Sequence, residues 1–180
     1  FFDATDVEHT MAHWKTLEYG EPISVGSTEV LLKNSGHILG SSMIEVYAEG
    51  KKVLFTRDFG NMPSVLLPSP EALSEDVDYL IIESTYGNRT HGETTDRTLQ
   101  LERAIEDVVT RGGTLMIPAF ATERTQDILY ELNSMVMNNR VPHLPVFVDS
   151  PLASKVTEIY RLYPGYYNKT VSALMKKDPS

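Results

Sequence analysis

The chain has 180 residues, 41% apolar and 23% charged, enough to build a hydrophobic core in one domain or in parts of two. It contains no cysteine, which excludes disulfides and thiolate metal sites and leaves His and carboxylate as metal donors; this fits a reducing, cytoplasmic setting. A formal charge of −9, with no lysine-arginine run, argues against a broad grip on a phosphate backbone, and no apolar run approaches the roughly 20 residues of a membrane span.

The opening FFDATDVEHT has no basic start and no apolar stretch, so it does not read as a signal peptide. Asp6 is placed to cap a helix over DVEHTMAHW. EPISVG, STEVLLKNS, SSMIEVYAEG and KKVLFTRD then alternate or form Gly-bounded apolar runs, which predicts strands, with a hairpin turn at Glu49-Gly50. NMPSVLLPSPEALSED carries three prolines and reads as a surface excursion.

From Val77 the grammar changes. DYLIIE is a short strand, and STYGNRTHGETT is a polar loop. TDRTLQLERAIEDVVTR is apolar at helical spacing through Leu99, Leu101, Ile105, Val108 and Val109, and Gly112-Gly113 is placed to end it. TLMIPAF predicts a strand, Thr122 a cap for the helix ERTQDILYELNSMVM, and VPHLPVFVD a further strand. Ser150-Pro151 opens a helix over SPLASKVTEIYRLY, with Ser as N-cap and Pro in the first turn. Alternating strands and helices are the grammar of a parallel α/β sheet.

Three polar residues stand where strands run out: His37 in SGHILGSS, Asp58 in KKVLFTRDFG and Glu83 in DYLIIESTYG. Ligands of α/β folds collect at carboxyl strand ends, where loops converge over a rigid sheet. Imidazole and carboxylate there suit zinc. Taken singly, His37 and Asp58 read more readily as turn or cap residues, and Glu83 as a solvated or N-capping carboxylate. Arg124, opening a helix, could hold a phosphate with the helix amides or be a solvated side chain. For Asp149 and Ser150, capping is the simpler job.

The ordered series GHILGSSMIEV, GKKVLFTRDFG, DYLIIESTYGNRTH, RGGTLMIPAFATERTQDILYEL and LPVFVDSPLASKVTEIY spans nearly the whole chain. It resembles the β-CASP nucleases of the metallo-β-lactamase superfamily. That branch includes ribonuclease J and the endonuclease of the cleavage and polyadenylation specificity factor, and the likeness is greatest to stand-alone bacterial and archaeal RNA-processing exonucleases. The resemblance implies an α/β fold. Residues 1–87 would belong to a metallo-β-lactamase αββα sandwich, and 88–180 to a Rossmann-like, parallel-sheet β-CASP domain.

By the same resemblance His37 would be a zinc ligand and Asp58 the carboxylate bridging two zinc ions. Arg57 stands where the family commonly has Gly. Glu83, opening E-S-T-Y-G, would lie beside the metals and be linked to a later histidine, while Ser84, Thr85 and Arg124 would contact substrate. The intact protein would be a zinc-dependent ribonuclease, cutting internally or from an end. Its partner would be single-stranded RNA, with DNA as the alternative, and a second copy or processing-complex subunits as further candidates.

The superfamily signature H-x-H-x-D-H is not in this sequence, nor are the later β-CASP histidines. The chain therefore reads as an internal piece, expected to bind zinc weakly and not to cleave RNA alone. His9 and His13 share a helix face without an H-E-x-x-H pattern and read as solvated; His91 and His143 fall in loops. Rival readings are a non-catalytic RNA-binding or scaffold subunit, which Arg57 favours, and a small-ester metallohydrolase, which the segment after Glu83 opposes. A dinucleotide-binding module lacks its G-x-G-x-x-G.

Overall fold

Local sequence and pairing explain the first half of the fold. The computed structural model describes residues 2–90 and 94–177. Helix α1 (Ala4–Ala12) is capped by Asp3, not Asp6: the Asp3 carboxylate accepts from the Thr5 and Asp6 amides at 2.8 and 3.1 Å, and Asp6 returns a bond to the Asp3 amide at 3.0 Å. Asp6 is thus the second half of a capping box, one turn inside the helix.

Five strands follow, β1 (Ile23–Val25), β2 (Thr28–Asn34), β3 (Ser42–Ala48), β4 (Lys51–Phe55) and β5 (Tyr79–Ile81), ordered β1-β2-β3-β4-β5 in one sheet. Pairing is antiparallel up to β4, and β4–β5 is parallel. Glu49 and Gly50, at φ 53° and 74°, make the β3–β4 turn, whose twist needs positive φ at both positions. The directions have a consequence for function. Strands β2, β4 and β5 run the same way, so the chain leaves all three at one rim of the sheet.

The proline-rich segment after β4 is not only a surface excursion. Leu66 and Leu67 are buried in a cluster with Tyr160, Tyr167 and Val171. Prolines forbid regular structure there but do not stop apolar side chains between them from being covered. Farther along, the segment crosses the sheet: Lys33 donates to the Ala72 carbonyl at 2.6 Å and pairs with the buried Glu45 at 3.4 Å, while Ser74 also donates to Glu45.

The helices are α2 (Thr94–Arg111), α3 (Arg124–Met137), α4 (Pro151–Leu162) and α5 (Lys169–Lys177), with a 3-10 turn at Pro164–Tyr166. Gly112, at φ 63°, ends α2, and the Ser150 side chain caps α4 by accepting from the Ala153 amide at 3.2 Å. Ile105, Met135 and Val141 form a second core where α2 meets α3, rimmed by the Arg140–Glu102 ion pair. Thr122 does not cap α3; the capping position is Glu123.

The segments TLMIPAF and VPHLPVFVD, expected as strands, join no ladder, and Met116, Phe120 and Phe147 are 86%, 85% and 88% exposed. An apolar run states a preference for burial, but a parallel strand exists only where a neighbour takes its N–H and C=O groups. No helix among the described residues is long and apolar enough to cross a membrane.

Candidate functional site

All the candidates but Arg124 sit on loops leaving the common rim. The loop after β2 is folded on itself by Ser41. Its hydroxyl accepts from the His37 and Ile38 amides, both at 3.1 Å, and from the Ser35 hydroxyl at 2.8 Å. This holds the His37 backbone while leaving its side chain exposed.

The loop after β4 lies directly against it. The Gly60 amide donates to the Ser35 carbonyl at 2.8 Å, and a Cβ on Gly60 would stand 2.0 Å from the Gly36 oxygen. Two backbones meet here at a distance only glycine allows. Asp58 is exposed on this loop, between Thr56 and Gly60.

The loop after β5 is tied to the second through Thr56, which is fully buried. Its amide donates to the Ile81 carbonyl at 3.0 Å, and its hydroxyl donates to the Arg57 carbonyl at 2.9 Å and accepts from the Glu83 amide at 3.3 Å. The Glu83 carboxylate accepts from the Thr85 amide at 3.0 Å and from the Phe59 amide at 3.5 Å. Bonds from Thr85, then the Phe59 amide and the charge of His37, hold the Glu83 carboxyl below its ordinary range. Hydrogen bonds to the charged form favour it. Glu83 is therefore an anion near neutrality, suited to hold a cationic partner and poorly suited to give up a proton itself.

Ser84 and Thr85 begin the turn after Glu83, and the Gly87 amide donates to the Ser84 carbonyl at 3.0 Å. Arg124 is exposed at the first residue of α3, and its helix start is linked to the His37 loop: the Tyr160 hydroxyl donates to Glu123 and accepts from the Leu39 amide at 3.2 Å. Burial pushes the Glu123 carboxyl up to about 7, and likewise the Asp127 carboxyl, one turn on, to about 6. Sequence reading missed Thr56, Gly60, Glu123 and Tyr160. Gly60 was visible beside Asp58; the rest carry no local signal, because their partners are distant in sequence.

Arg57 has φ 53°, in the left-handed region, with its side chain exposed. A side chain costs about 1–2 kcal/mol there, partly offset by the entropy glycine loses on folding. Arg57→Gly should therefore stabilise the chain by about 0.5–1 kcal/mol; urea denaturation showing a loss instead would mean the guanidinium makes a compensating contact.

Zinc takes three or four protein ligands. His37 and Asp58 are donors at the rim, but among the described residues no group of three or more His, Cys, Asp and Glu is placed to hold a metal. The described residues do not by themselves compose a zinc site. His9 and His13 are exposed on α1 and at its end, where the His13 ring lies 2.8 Å from the His9 carbonyl; His143 is exposed, and His91 falls outside the described residues.

Residues 125–180 match the Beta-Casp domain family. The chain is 34% identical over 99% of its length to a ribonuclease of Thermus thermophilus, of which it covers 41%. It is 32% identical over 96% of its length to cleavage and polyadenylation specificity factor subunit 3 of Dictyostelium discoideum, covering 22%. With an RNase J-like protein of Methanocaldococcus jannaschii the identity is 33%, over 95% of this chain and 41% of the relative. The chain thus spans less than half the length of these relatives. The Beta-Casp match lies in the last third of the chain, and the similarity to these relatives extends over nearly all of it, through the rim loops as well as α2 to α5.

Proposed function

We propose that the intact protein carrying this chain is a metal-dependent phosphodiesterase that cleaves RNA, and that the rim of β2, β4 and β5 is part of its active site. The observation that supports this most is the convergence of the three loops bearing His37, Asp58 and Glu83 on one edge of one sheet, locked together by Gly60 and Thr56. Relatives named ribonuclease, RNase J-like and cleavage and polyadenylation specificity factor subunit 3 support the RNA reading. The scaffold and small-ester alternatives have no comparable support.

In this reading His37 and Asp58 are metal ligands, and the zinc ions need further ligands beyond those the described residues bring together. A bound metal would bring positive charge to a phosphate in an otherwise acidic protein. Glu83, held ionised, orients and charges a cationic partner near the metals. Ser84, Thr85 and Arg124 contact the nucleic acid, with single-stranded RNA as substrate and a cytoplasmic setting. The boundary near 87/88 separates the metallo-β-lactamase part from the β-CASP part.

The test is cleavage of end-labelled single-stranded RNA by the intact protein. Asp58→Ala, His37→Ala and Glu83→Gln should each lower the rate by about a hundred-fold or more. Activity within a few-fold of wild type for Asp58→Ala would sink the proposal. The 180-residue chain alone, dialysed and analysed for metal, should retain less than one zinc per chain. Two tightly held equivalents would mean that a complete donor set is present after all.

A further inference from the structure

We infer that Tyr160 is a positioning residue: its hydroxyl bridges the Leu39 amide to the Glu123 carboxylate and so sets the His37 loop against the start of α3. The inference builds on the proposed role of His37, but the bridge is a statement about this chain's own contacts.

Three successive amides of that loop divide between two side-chain acceptors. Ser41 takes those of His37 and Ile38, both at 3.1 Å, from within the loop. The next amide, Leu39, turns outward and is taken at 3.2 Å by Tyr160, a residue 121 positions later in the chain. Tyr160 is 3% exposed, its ring packed with Leu66, Leu67, Tyr167 and Val171. A buried phenol can use one lone pair and its one proton, and both are used here: it accepts from Leu39 and donates to Glu123. The end of α4 is itself clamped, because the Tyr167 hydroxyl donates to the Tyr160 carbonyl at 2.6 Å.

Glu123 supports the assignment from the other side. It holds the capping position of α3 yet makes no side-chain capping bond, and its φ of 62° is unusual for a residue with a side chain. The carboxylate turns to Tyr160 instead. Arg124 follows immediately, so one contact chain fixes the relation between the His37 loop and the residue proposed to meet phosphate. The loop is also held by the Gly60 amide on Ser35 and the Tyr19 hydroxyl on the Ser41 carbonyl; Tyr160 adds the stop that faces α3. Misplacement by about an ångström is enough to harm catalysis severely.

The experiment uses the chain labelled for NMR. Tyr160→Phe deletes only the hydroxyl and keeps the ring in its cluster. Expected are about ten-fold faster exchange of the Leu39 amide and shifted His37 ring resonances, with the ring signals of His9, His13 and His143 and the exchange of the β3 amides unchanged. Tyr167→Phe, which removes the neighbouring buried hydroxyl, should leave Leu39 exchange within about two-fold of wild type. Leu39 exchange unaltered by Tyr160→Phe would overturn the inference, and so would equal acceleration along β2 and β3 or unmoved His37 signals. In the intact protein Tyr160→Phe should lower kcat on single-stranded RNA about ten-fold with KM within about two-fold; a normal kcat overturns the positioning role. An intact wild-type protein that fails to cleave RNA would sink the ribonuclease reading alone, since the exchange and ring-shift results decide the bridge without it.

Discussion

Gly60→Ala should destabilise the chain by about 3 kcal/mol or more, a large effect for one methyl group. The cause is not backbone conformation, since Gly60 does not need positive φ. A Cβ there would lie 2.0 Å from the Gly36 oxygen, 2.3 Å from its carbonyl carbon and 2.9 Å from the His37 nitrogen. All are backbone atoms, which cannot swing aside as a flexible side-chain end does. Relief requires parting the His37 and Asp58 loops, so the 2.8 Å bond from the Gly60 amide to Ser35 should be lost as well. Gly40→Ala is the control. Gly40 has φ 83° with nothing within 4 Å of an added Cβ, so only conformational strain of about 1 kcal/mol is expected. Urea denaturation of both variants decides the matter; a Gly60→Ala chain within about 1 kcal/mol of wild type would mean the two loops do not abut.

The second large effect concerns Glu123, whose carboxyl is pushed up to about 7, first by burial and further by the charge of Asp127, against the Tyr160 bond and Arg124. Its ordinary value of 4.5 applies in the unfolded chain. Between these pH values the folded protein binds the extra proton, so stability is highest below the lower one and falls as pH rises to about 7. The full displacement would correspond to about 3 kcal/mol; the carboxyl is only partly shielded from water, so about 1–2 kcal/mol is expected. Glu123→Gln keeps an oxygen for the Tyr160 hydroxyl and cannot ionise. It should be more stable than wild type at pH 8 by about that amount, with the difference vanishing near pH 4. Asp127, raised to about 6, leaves a smaller slope of the same sign in the variant. Thermal unfolding of both proteins from pH 4 to 8 measures it, and identical pH profiles would mean that Glu123 ionises as freely as in water.

The readable parts of this fold are those whose causes are local. Alternation and the Glu49-Gly50 pair marked β2, β3, β4 and their hairpin because side-chain period and turn chirality are written within a few residues. Ser150-Pro151 marked the start of α4 for the same reason. Asp6 was misassigned as the cap of α1 by one half of a reciprocal pair, the other half being Asp3. TLMIPAF and VPHLPVFVD have strand composition but no paired neighbour, and pairing is not a property of a segment.

For the candidate site, the order of motifs named His37, Asp58 and Glu83, and their strand-end positions predicted a shared rim. What the linear chain alone determined was which residue types end which strands, since backbone preference and side-chain chemistry belong to each residue. That Gly60 closes two loops, that Thr56 joins the third and that Tyr160 reaches across from α4 is legible only in the folded chain. Those contacts join residues far apart in sequence. Each depends on ångström-scale placement set by the packing of the whole sheet and its helices, not by any one segment.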